Sequence, residues 1–162
     1  MASKVKAIPE GLHTVTPHLV IRGAAKAIDF YESAFGAQEL MRMQGPGGTI
    51  GHAELKIGDS VIFLADEFPQ GPVKAPESLG SSSCVLNLYV EDVDKVYDTA
   101  VKAGGKAAMP PSDMFWGDRY GQLVDPFGHV WGVATHKEEV SPEEMEKRAK
   151  EFWASMAQRK SA

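Results

Sequence analysis

The sequence has very little of three things: cysteine, uninterrupted apolar sequence and excess positive charge. The single cysteine among 162 residues, Cys84, cannot form an internal disulfide, which is typical of a reducing compartment. No apolar run approaches the roughly 20 residues of a transmembrane helix, and the opening MASKVKAIPEGLH lacks the apolar segment of a signal peptide. The net charge of −5, without a basic cluster, disfavours a nucleic-acid partner. We therefore expect a cytoplasmic protein with neither a membrane nor a nucleic acid as partner.

Two stretches of the chain show the same order of predicted elements. In each, a strand is followed by a helix and then by three more strands, giving a βαβββ pattern at residues 14–67 and again at residues 84–136. The two helices end at Gly36 and Gly104. Corresponding positions lie about 69 residues apart, although few residues are identical. We interpret the pattern as a duplicated module in an α+β fold; the alternative is a chance order of elements in an unrelated α+β sequence.

Two segments lie outside these modules. Residues 68–83, FPQGPVKAPESLGSSS, are rich in proline, glycine and serine and are predicted to be a linker. Residues 141–159 are predicted to be a helix, because Ser141 is a favourable cap and Pro142 occupies the first helical position. The apolar side chains of this helix form one stripe: Met145, Ala149, Phe152, Trp153 and Met156. The stripe is explained either by packing on the chain's own domain or by a dimer contact.

The segment WGDRYGQLVDPFGHVW, residues 116–131, is typical of a β-hairpin. Its DPFG sequence favours a bulged turn that pairs Asp125 with His129 and Leu123 with Trp131. Because side chains alternate between the faces of a strand, His129 shares an apolar face with Trp131, and we expect it to be structural rather than catalytic. The opposite face carries the hydrogen-bonding side chains Asp118, Tyr120 and Gln122.

The same alternation separates a polar from an apolar face in the other predicted strands. In the hairpin of the first module, Glu54 lies opposite Phe63 on a mixed face, and the other face is entirely apolar. The side chains of interest on these mixed faces are His18, His52, Glu54, Phe63, Asn87 and Tyr89. Because burying so many polar groups away from water is costly, we expect the polar faces of both modules to line one open cleft.

Two sequence motifs resemble those of a known protein family. The first helix contains AIDFYESAFGA and the last hairpin contains DPFGHVWGVAT. With the doubled βαβββ order, they resemble the vicinal-oxygen-chelate superfamily of glyoxalase I, bleomycin-resistance proteins and extradiol dioxygenases, and within it the small bacterial glyoxalase-like proteins. The resemblance covers residues 14–136. It implies two modules whose curved, mostly antiparallel sheets surround a cleft, usually completed in a homodimer; the C-terminal helix is additional.

The resemblance also implies where a metal would bind. Family metalloenzymes take ligands from the first and last strand of each module, and these positions fall at Thr16 or His18, Phe63, Val85 and Gly132. Phenylalanine, valine and glycine side chains cannot coordinate a divalent ion. We therefore expect no metal of the glyoxalase I type and no other cofactor.

Two kinds of function remain open, because a module used only for protein interactions explains the polar faces poorly. A cleft that binds a small organic molecule needs aromatic surfaces and a few polar anchors. The candidate contacts are His18, Phe63, Asn87, Tyr89, Trp116, Asp118, Tyr120 and Gln122. A lyase, an isomerase or a dioxygenase-like enzyme needs either a metal at relocated ligands, His18, His52 and Glu54, or a metal-free general base at His52 or Glu54.

Overall fold

The computed structural model describes residues 5–159, and these contain two βαβββ modules and a C-terminal helix. The elements of the first module are β1 (His18–Ile21), α1 (Ala24–Phe35), β2 (Gln38–Gln44), β3 (Ile50–Ile57) and β4 (Ser60–Asp66). A one-turn helix, α2 (Pro76–Leu79), follows. The elements of the second module are β5 (Val85–Tyr89), α3 (Val93–Lys102), β6 (Lys106–Asp113), β7 (Asp118–Val124) and β8 (Val130–His136). The last helix is α4 (Pro142–Arg159).

Each module forms its own four-stranded sheet with the same topology. The strand orders are β1-β4-β3-β2 and β5-β8-β7-β6, so the last strand of each module lies beside the first. That pair is parallel, and the other neighbours are antiparallel. A parallel pair needs a long crossover, which the helix and the two intervening strands provide. The predicted α+β fold of two βαβββ modules with an added C-terminal helix is confirmed.

The apolar faces of both sheets share a single core with the helices. Tyr31 of α1 and Tyr97 of α3 are buried in it, together with Leu55 from the first sheet and Leu123 from the second. Helix α1 also packs directly against α3. Because a strand alternates its side chains, the polar face of each sheet lies on the side turned away from this core.

A side chain from the last strand of each module supports the start of that module's helix. Helix α1 begins after Gly23, which has no side chain to cap it, and Asp66 Oδ1 accepts hydrogen bonds from the N–H groups of Gly23 and Ala24, each 2.9 Å away. At the matching place in the second module, Thr135 Oγ1 accepts from the Val93 N–H at 2.9 Å. Side-chain acceptors at helix starts satisfy N–H groups that have no partner within the helix.

The segment predicted to be a linker contains local structure of its own. Residues 76–79 form α2, and Glu67 Oε2 accepts hydrogen bonds from the Ala75 N–H at 2.8 Å and the Ser78 hydroxyl at 2.7 Å. Proline at the first helical position favours this turn. The segment therefore differs from a purely flexible connection.

Helix α4 lies beyond both modules and starts as predicted, with the Glu144 N–H donating to Ser141 Oγ at 3.2 Å. Met145, Ala149 and Phe152 are half-buried on the side that packs against the second module, whereas Trp153 is exposed. Of the two explanations for its apolar stripe, packing on the chain's own domain accounts for the half-buried part. Within residues 5–159, no helix is both long and apolar enough to cross a membrane.

Candidate functional site

A cavity of about 490 Å³ lies on the polar face of the second sheet, between β5, β7 and α4. Six aromatic side chains line it: Tyr89, Phe115, Trp116, Tyr120, Phe152 and Trp153. The other side chains that contribute to its surface include Asn87, Met109, Met114, Asp118 and Gln122. Small-molecule sites are commonly concave, mainly apolar and fitted with a few placed polar groups. All six predicted contact residues from the second module, namely Asn87, Tyr89, Trp116, Asp118, Tyr120 and Gln122, lie here together.

The floor of the cavity is a chain of hydrogen bonds between uncharged side chains, which runs from β7 over β8 to β5. Gln122 Nε2 donates to the Tyr120 hydroxyl at 2.8 Å, and that hydroxyl donates to Asn87 Oδ1 at 3.4 Å. Gly132 of β8 lies directly beneath the chain, and a Cβ atom there would overlap both Asn87 Oδ1 and the Tyr120 hydroxyl. A residue without a side chain is therefore needed for the Tyr120 ring to lie across β8.

One end of the cavity is formed by a carboxylate whose oxygens are both hydrogen-bonded. Asp118 is only 5% exposed; its Oδ2 accepts from Tyr89 Oη at 2.9 Å and Trp116 Nε1 at 3.0 Å. Its Oδ1 lies 2.7 Å from His136 Nδ1. Burial acts to raise the pKa of Asp118, but the hydrogen bonds from these three partners outweigh it and lower the pKa below the ordinary aspartate value. The same contact with Asp118 raises the pKa of His136, so the pair favours a carboxylate with an imidazolium partner.

A short loop before β7 carries two of the aromatic walls. The Met114 N–H donates to the Asp118 carbonyl at 2.8 Å, and the Gly117 N–H donates to the Met114 carbonyl at 3.1 Å, which closes the loop. Trp116 stands edge-on to Tyr120, with ring centroids 5.8 Å apart, an arrangement that aromatic pairs prefer. These backbone hydrogen bonds fix the path of the loop that carries Phe115 and Trp116.

The predicted site residues of the first module form a separate group on the open face of the first sheet. The ring centroids of His52 and Phe63 are 4.9 Å apart, and those of His18 and His52 are 5.9 Å apart. His52 Nε2 lies 3.4 Å from Glu54 Oε1. Burial, and then the charge of His52, lower the pKa of His18. The four side chains form a compact cluster, and Met43 lies opposite His52 on β2.

The expectation that both polar faces line one cleft differs from the structure. None of His18, His52, Glu54 and Phe63 is among the described residues that line the cavity of the second module. The reason is that the two modules join through their apolar faces and helices, which directs the polar faces outward. Strand alternation assigns a side chain to a face, but it carries no information on how two sheets are oriented relative to each other.

The positions where the family holds a metal do not fit one here. The parallel registers place His18 beside Phe63 and Asn87 beside Gly132, so the relevant position on β5 is Asn87 rather than the predicted Val85. Phenylalanine and glycine offer no ligand, and the space above Gly132 is filled by Asn87 and Tyr120. Among residues 5–159, no three histidine, cysteine or carboxylate side chains are grouped so that they could hold a metal ion. This includes the relocated set of His18, His52 and Glu54.

His129 has the structural surroundings predicted for it. It lies beside the core, its backbone N–H donates to Asp125 Oδ1 at 2.9 Å, and its Nε2 is buried without a hydrogen-bond partner. Burial lowers the pKa of His129, against the opposing charge of Asp125, so the ring is held neutral.

Sequence reasoning missed His136, which is bonded to Asp118, and six residues that line the cavity: Met109, Met114, Phe115, Ala134, Phe152 and Trp153. His136 could have been found, because extending the predicted hairpin pairing outward places it opposite Asp118, as the register shows. Phe152 and Trp153 had no comparable signal. Their apolar stripe indicated that α4 packs somewhere, but nothing in the local sequence indicated against which face.

Comparisons with known proteins agree with this fold. A family model described as Glyoxalase/Bleomycin resistance protein/Dioxygenase superfamily matches residues 11–133. An uncharacterized protein of Mycobacterium tuberculosis is 42% identical over 135 residues, covering 82% of this chain and 79% of that protein. The crystal structure of TioX from Micromonospora sp. ML1 has a TM-score of 0.59 at 25% identity, covering 80% of this chain and 100% of that one. PA1353 from Pseudomonas aeruginosa has a TM-score of 0.64 at 22% identity, covering 78% and 99%, and is similar in fold alone. The chain therefore belongs to the Glyoxalase/Bleomycin resistance protein/Dioxygenase superfamily.

Proposed function

We propose that this protein binds a planar, uncharged aromatic small molecule in the cavity of the second module, without a metal. The observation that carries the proposal is the pairing of six aromatic walls with an uncharged hydrogen-bonding floor. Aromatic rings on several sides favour a flat ligand that can stack or meet them edge-on. The amides of Asn87 and Gln122 supply the few polar contacts that fix a ligand's orientation.

The charge around the cavity supports an uncharged ligand. Among the described residues that line it, none is a lysine or an arginine. The ionised lining residue is Asp118, whose charge is paired with the His136 imidazolium and whose oxygens also accept from Tyr89 and Trp116, so neither charge of this pair is free. A negatively charged ligand would meet a carboxylate and no free cation, which is unfavourable in a partly enclosed site.

Binding of two anthracene probes that differ in the charge of the substituent at position 1 tests the proposal. We expect 1-aminoanthracene, which is uncharged at neutral pH, to bind at least about 10-fold more tightly than anthracene-1-sulfonate. Fluorescence titration of the purified full chain measures both dissociation constants. Equal affinities would contradict the uncharged-ligand proposal, and no binding of either probe would contradict the assignment of the cavity as a binding site.

Replacing Gly132 with alanine tests whether the probe binds on the predicted floor. The new methyl group would displace the Asn87 and Tyr120 side chains that form the floor. A loss of about 1.4 kcal/mol of binding free energy is tenfold, so we expect about 10-fold weaker binding of 1-aminoanthracene. Gly51→Ala is the matched control, because that strand glycine in β3 has room for a Cβ, with the nearest atoms at 3.6 Å. Unchanged affinity in a folded Gly132→Ala protein would place the probe elsewhere.

The alternative function is a lyase, isomerase or dioxygenase-like enzyme that uses His18, His52 and Glu54. The contact between His52 and Glu54 on the open face of the first module is the observation that favours it. We expect elemental analysis of protein purified without added metal to give less than one ion per chain. Stoichiometric zinc, nickel, manganese or iron that is lost in His52→Ala would support the alternative instead.

We further propose that the protein is a cytoplasmic homodimer. The edge strand β2 exposes Leu40 and Met43, and the first and last residues of β5, Val85 and Tyr89, are also exposed. Exposed apolar side chains at sheet edges favour association with another chain. Sedimentation equilibrium would contradict the dimer if the mass remained that of the 17.5 kDa chain at all concentrations.

A further inference from the structure

We infer that α4 is a ligand-contacting wall of the cavity and that the Trp153 ring covers an aromatic molecule bound there. The inference rests on the proposed function and adds to it the element that completes the site. Phe152 and Trp153, both on α4, are among the residues that line the cavity.

The base of α4 is fixed to the second module by charged and backbone contacts. Arg148 makes two hydrogen bonds to the Glu138 carboxylate, at 2.8 and 2.9 Å, and a third to Glu144 Oε1 at 2.9 Å. Paired N–H donors from one guanidinium to one carboxylate restrict direction as well as distance. The N–H groups of Lys137 and Glu138 both donate to the Gly117 carbonyl, at 2.9 and 3.0 Å. The segment that precedes α4 is therefore hydrogen-bonded to the loop that carries Phe115 and Trp116.

The two aromatic residues of α4, Phe152 and Trp153, differ in burial and in their contacts with the rest of the protein. Phe152 is half-buried, and its ring centroid lies 5.1 Å from that of Phe115. Trp153 is 63% exposed, and its ring contact is with Phe152, at 5.1 Å. An exposed tryptophan at the mouth of a cavity gains burial only when something occupies that cavity. Phe152 thus anchors the helix, and Trp153 is available to cover a ligand.

This wall lies outside the part of the chain that the family model matches. The match ends at residue 133, whereas α4 comprises Pro142–Arg159. The matched fold accordingly supplies the floor of the cavity, and a segment beyond it supplies the closing side. An aromatic side chain at position 153 is therefore expected to add to ligand affinity independently of the floor.

Substitution of Trp153 tests the inference in the full chain. We expect Trp153→Ala to raise the dissociation constant for 1-aminoanthracene about 5-fold, whereas Trp153→Phe, which keeps an aromatic ring, changes it less than about 2-fold. Met156→Ala is the matched control, because Met156 is an exposed apolar residue of the same helix that does not line the cavity. Wild-type affinity in Trp153→Ala would overturn the inference, as would an equal loss in Met156→Ala.

A second measurement reports contact rather than stability. In a ¹⁵N-labelled sample, the indole N–H resonance assigned to Trp153 through Trp153→Phe is expected to shift on addition of 1-aminoanthracene. The resonance of Trp131, whose Nε1 is bonded to Asp125 in the core, is expected to stay in place. An unshifted Trp153 signal at saturation would overturn the inference. The two proposals can fail separately. If Gly132→Ala weakens binding of the probe but Trp153→Ala binds it like the wild-type protein, the proposed function stands and only this inference is wrong. If the wild-type protein does not bind the probe, both are wrong.

Discussion

Replacing Asp125 with alanine is expected to lower the free energy of unfolding by about 3–5 kcal/mol, because it leaves four donors without their buried charged acceptor. Asp125 is 4% exposed. Its Oδ1 accepts from the N–H groups of Phe127 and His129, each at 2.9 Å, and its Oδ2 accepts from Tyr31 Oη at 2.6 Å and Trp131 Nε1 at 3.0 Å. The first two bonds shape the hairpin turn, and the last two tie that turn to the core.

The bond from Tyr31 is the part of this cluster that joins the two modules. Tyr31 lies on α1, 94 residues before Asp125 in sequence. Burial, and then the nearby Asp125 charge, raise the pKa of Tyr31 far above its ordinary value, so the hydroxyl stays protonated and remains a donor. Hydrogen bonds to charged groups contribute about 1.5–3 kcal/mol, and we expect Tyr31→Phe to cost that much.

Urea unfolding followed by circular dichroism measures these changes. Tyr97→Phe is the matched control, because it also removes a tyrosine hydroxyl from the core but breaks a bond to a neutral acceptor, the Gln122 carbonyl, at 3.2 Å. The control is expected to cost about 0.5–1.5 kcal/mol. If Tyr31→Phe were no more destabilising than Tyr97→Phe, the buried carboxylate would not be the acceptor that the structure indicates.

The second large effect is expected from Gly117→Ala, at about 2–4 kcal/mol of lost stability. Gly117 has φ +98°, a conformation that residues with a side chain rarely adopt, and a Cβ atom there would overlap the Glu138 carbonyl oxygen. The Val140 side chain is a further neighbour, at 3.0 Å. The substitution therefore combines backbone strain with displacement of the segment from which α4 starts.

Gly58→Ala separates these two contributions. Gly58 also has a positive φ, +58°, but nothing lies within 4 Å of the Cβ that alanine would add. Its cost is expected to be the conformational part alone, about 1–2 kcal/mol. Thermal unfolding and 1-aminoanthracene titration of both variants complete the comparison, with weaker binding expected for Gly117→Ala only. Equal stabilities and affinities for the two variants would show that the contact with Glu138 is unimportant.

The parts of the fold that follow from local patterns could be predicted from the sequence. Alternation of side chains and the DPFG turn fixed the pairing of Leu123 with Trp131, and the first hairpin paired Glu54 with Phe63, both as observed. Helix α1 could likewise be bounded from its apolar spacing and its terminal glycine. These features depend on residues close together in sequence, and for that reason a single sequence contains them.

The features that depend on distant segments could not be predicted. Whether the polar faces meet or point apart is decided by contacts such as that between Tyr31 and Asp125, which no local pattern encodes. The role of Phe152 as a wall of the cavity likewise depends on its contact with Phe115. The sequence therefore indicated which side chains lie on a polar face, but not which of them form a single site.

The interior shared by the two sheets has a consequence for how a doubled chain of this kind could arise. A solitary βαβββ unit with these side chains would leave the Tyr31 surface of its helix in contact with water, because part of the surrounding interior comes from the other unit. Such a half-length ancestor could have buried that surface only by associating with a copy of itself. Fusion into one polypeptide makes that association intramolecular and independent of concentration. The two halves can then diverge, so that one carries the aromatic cavity and the other carries the cluster of His18 and His52.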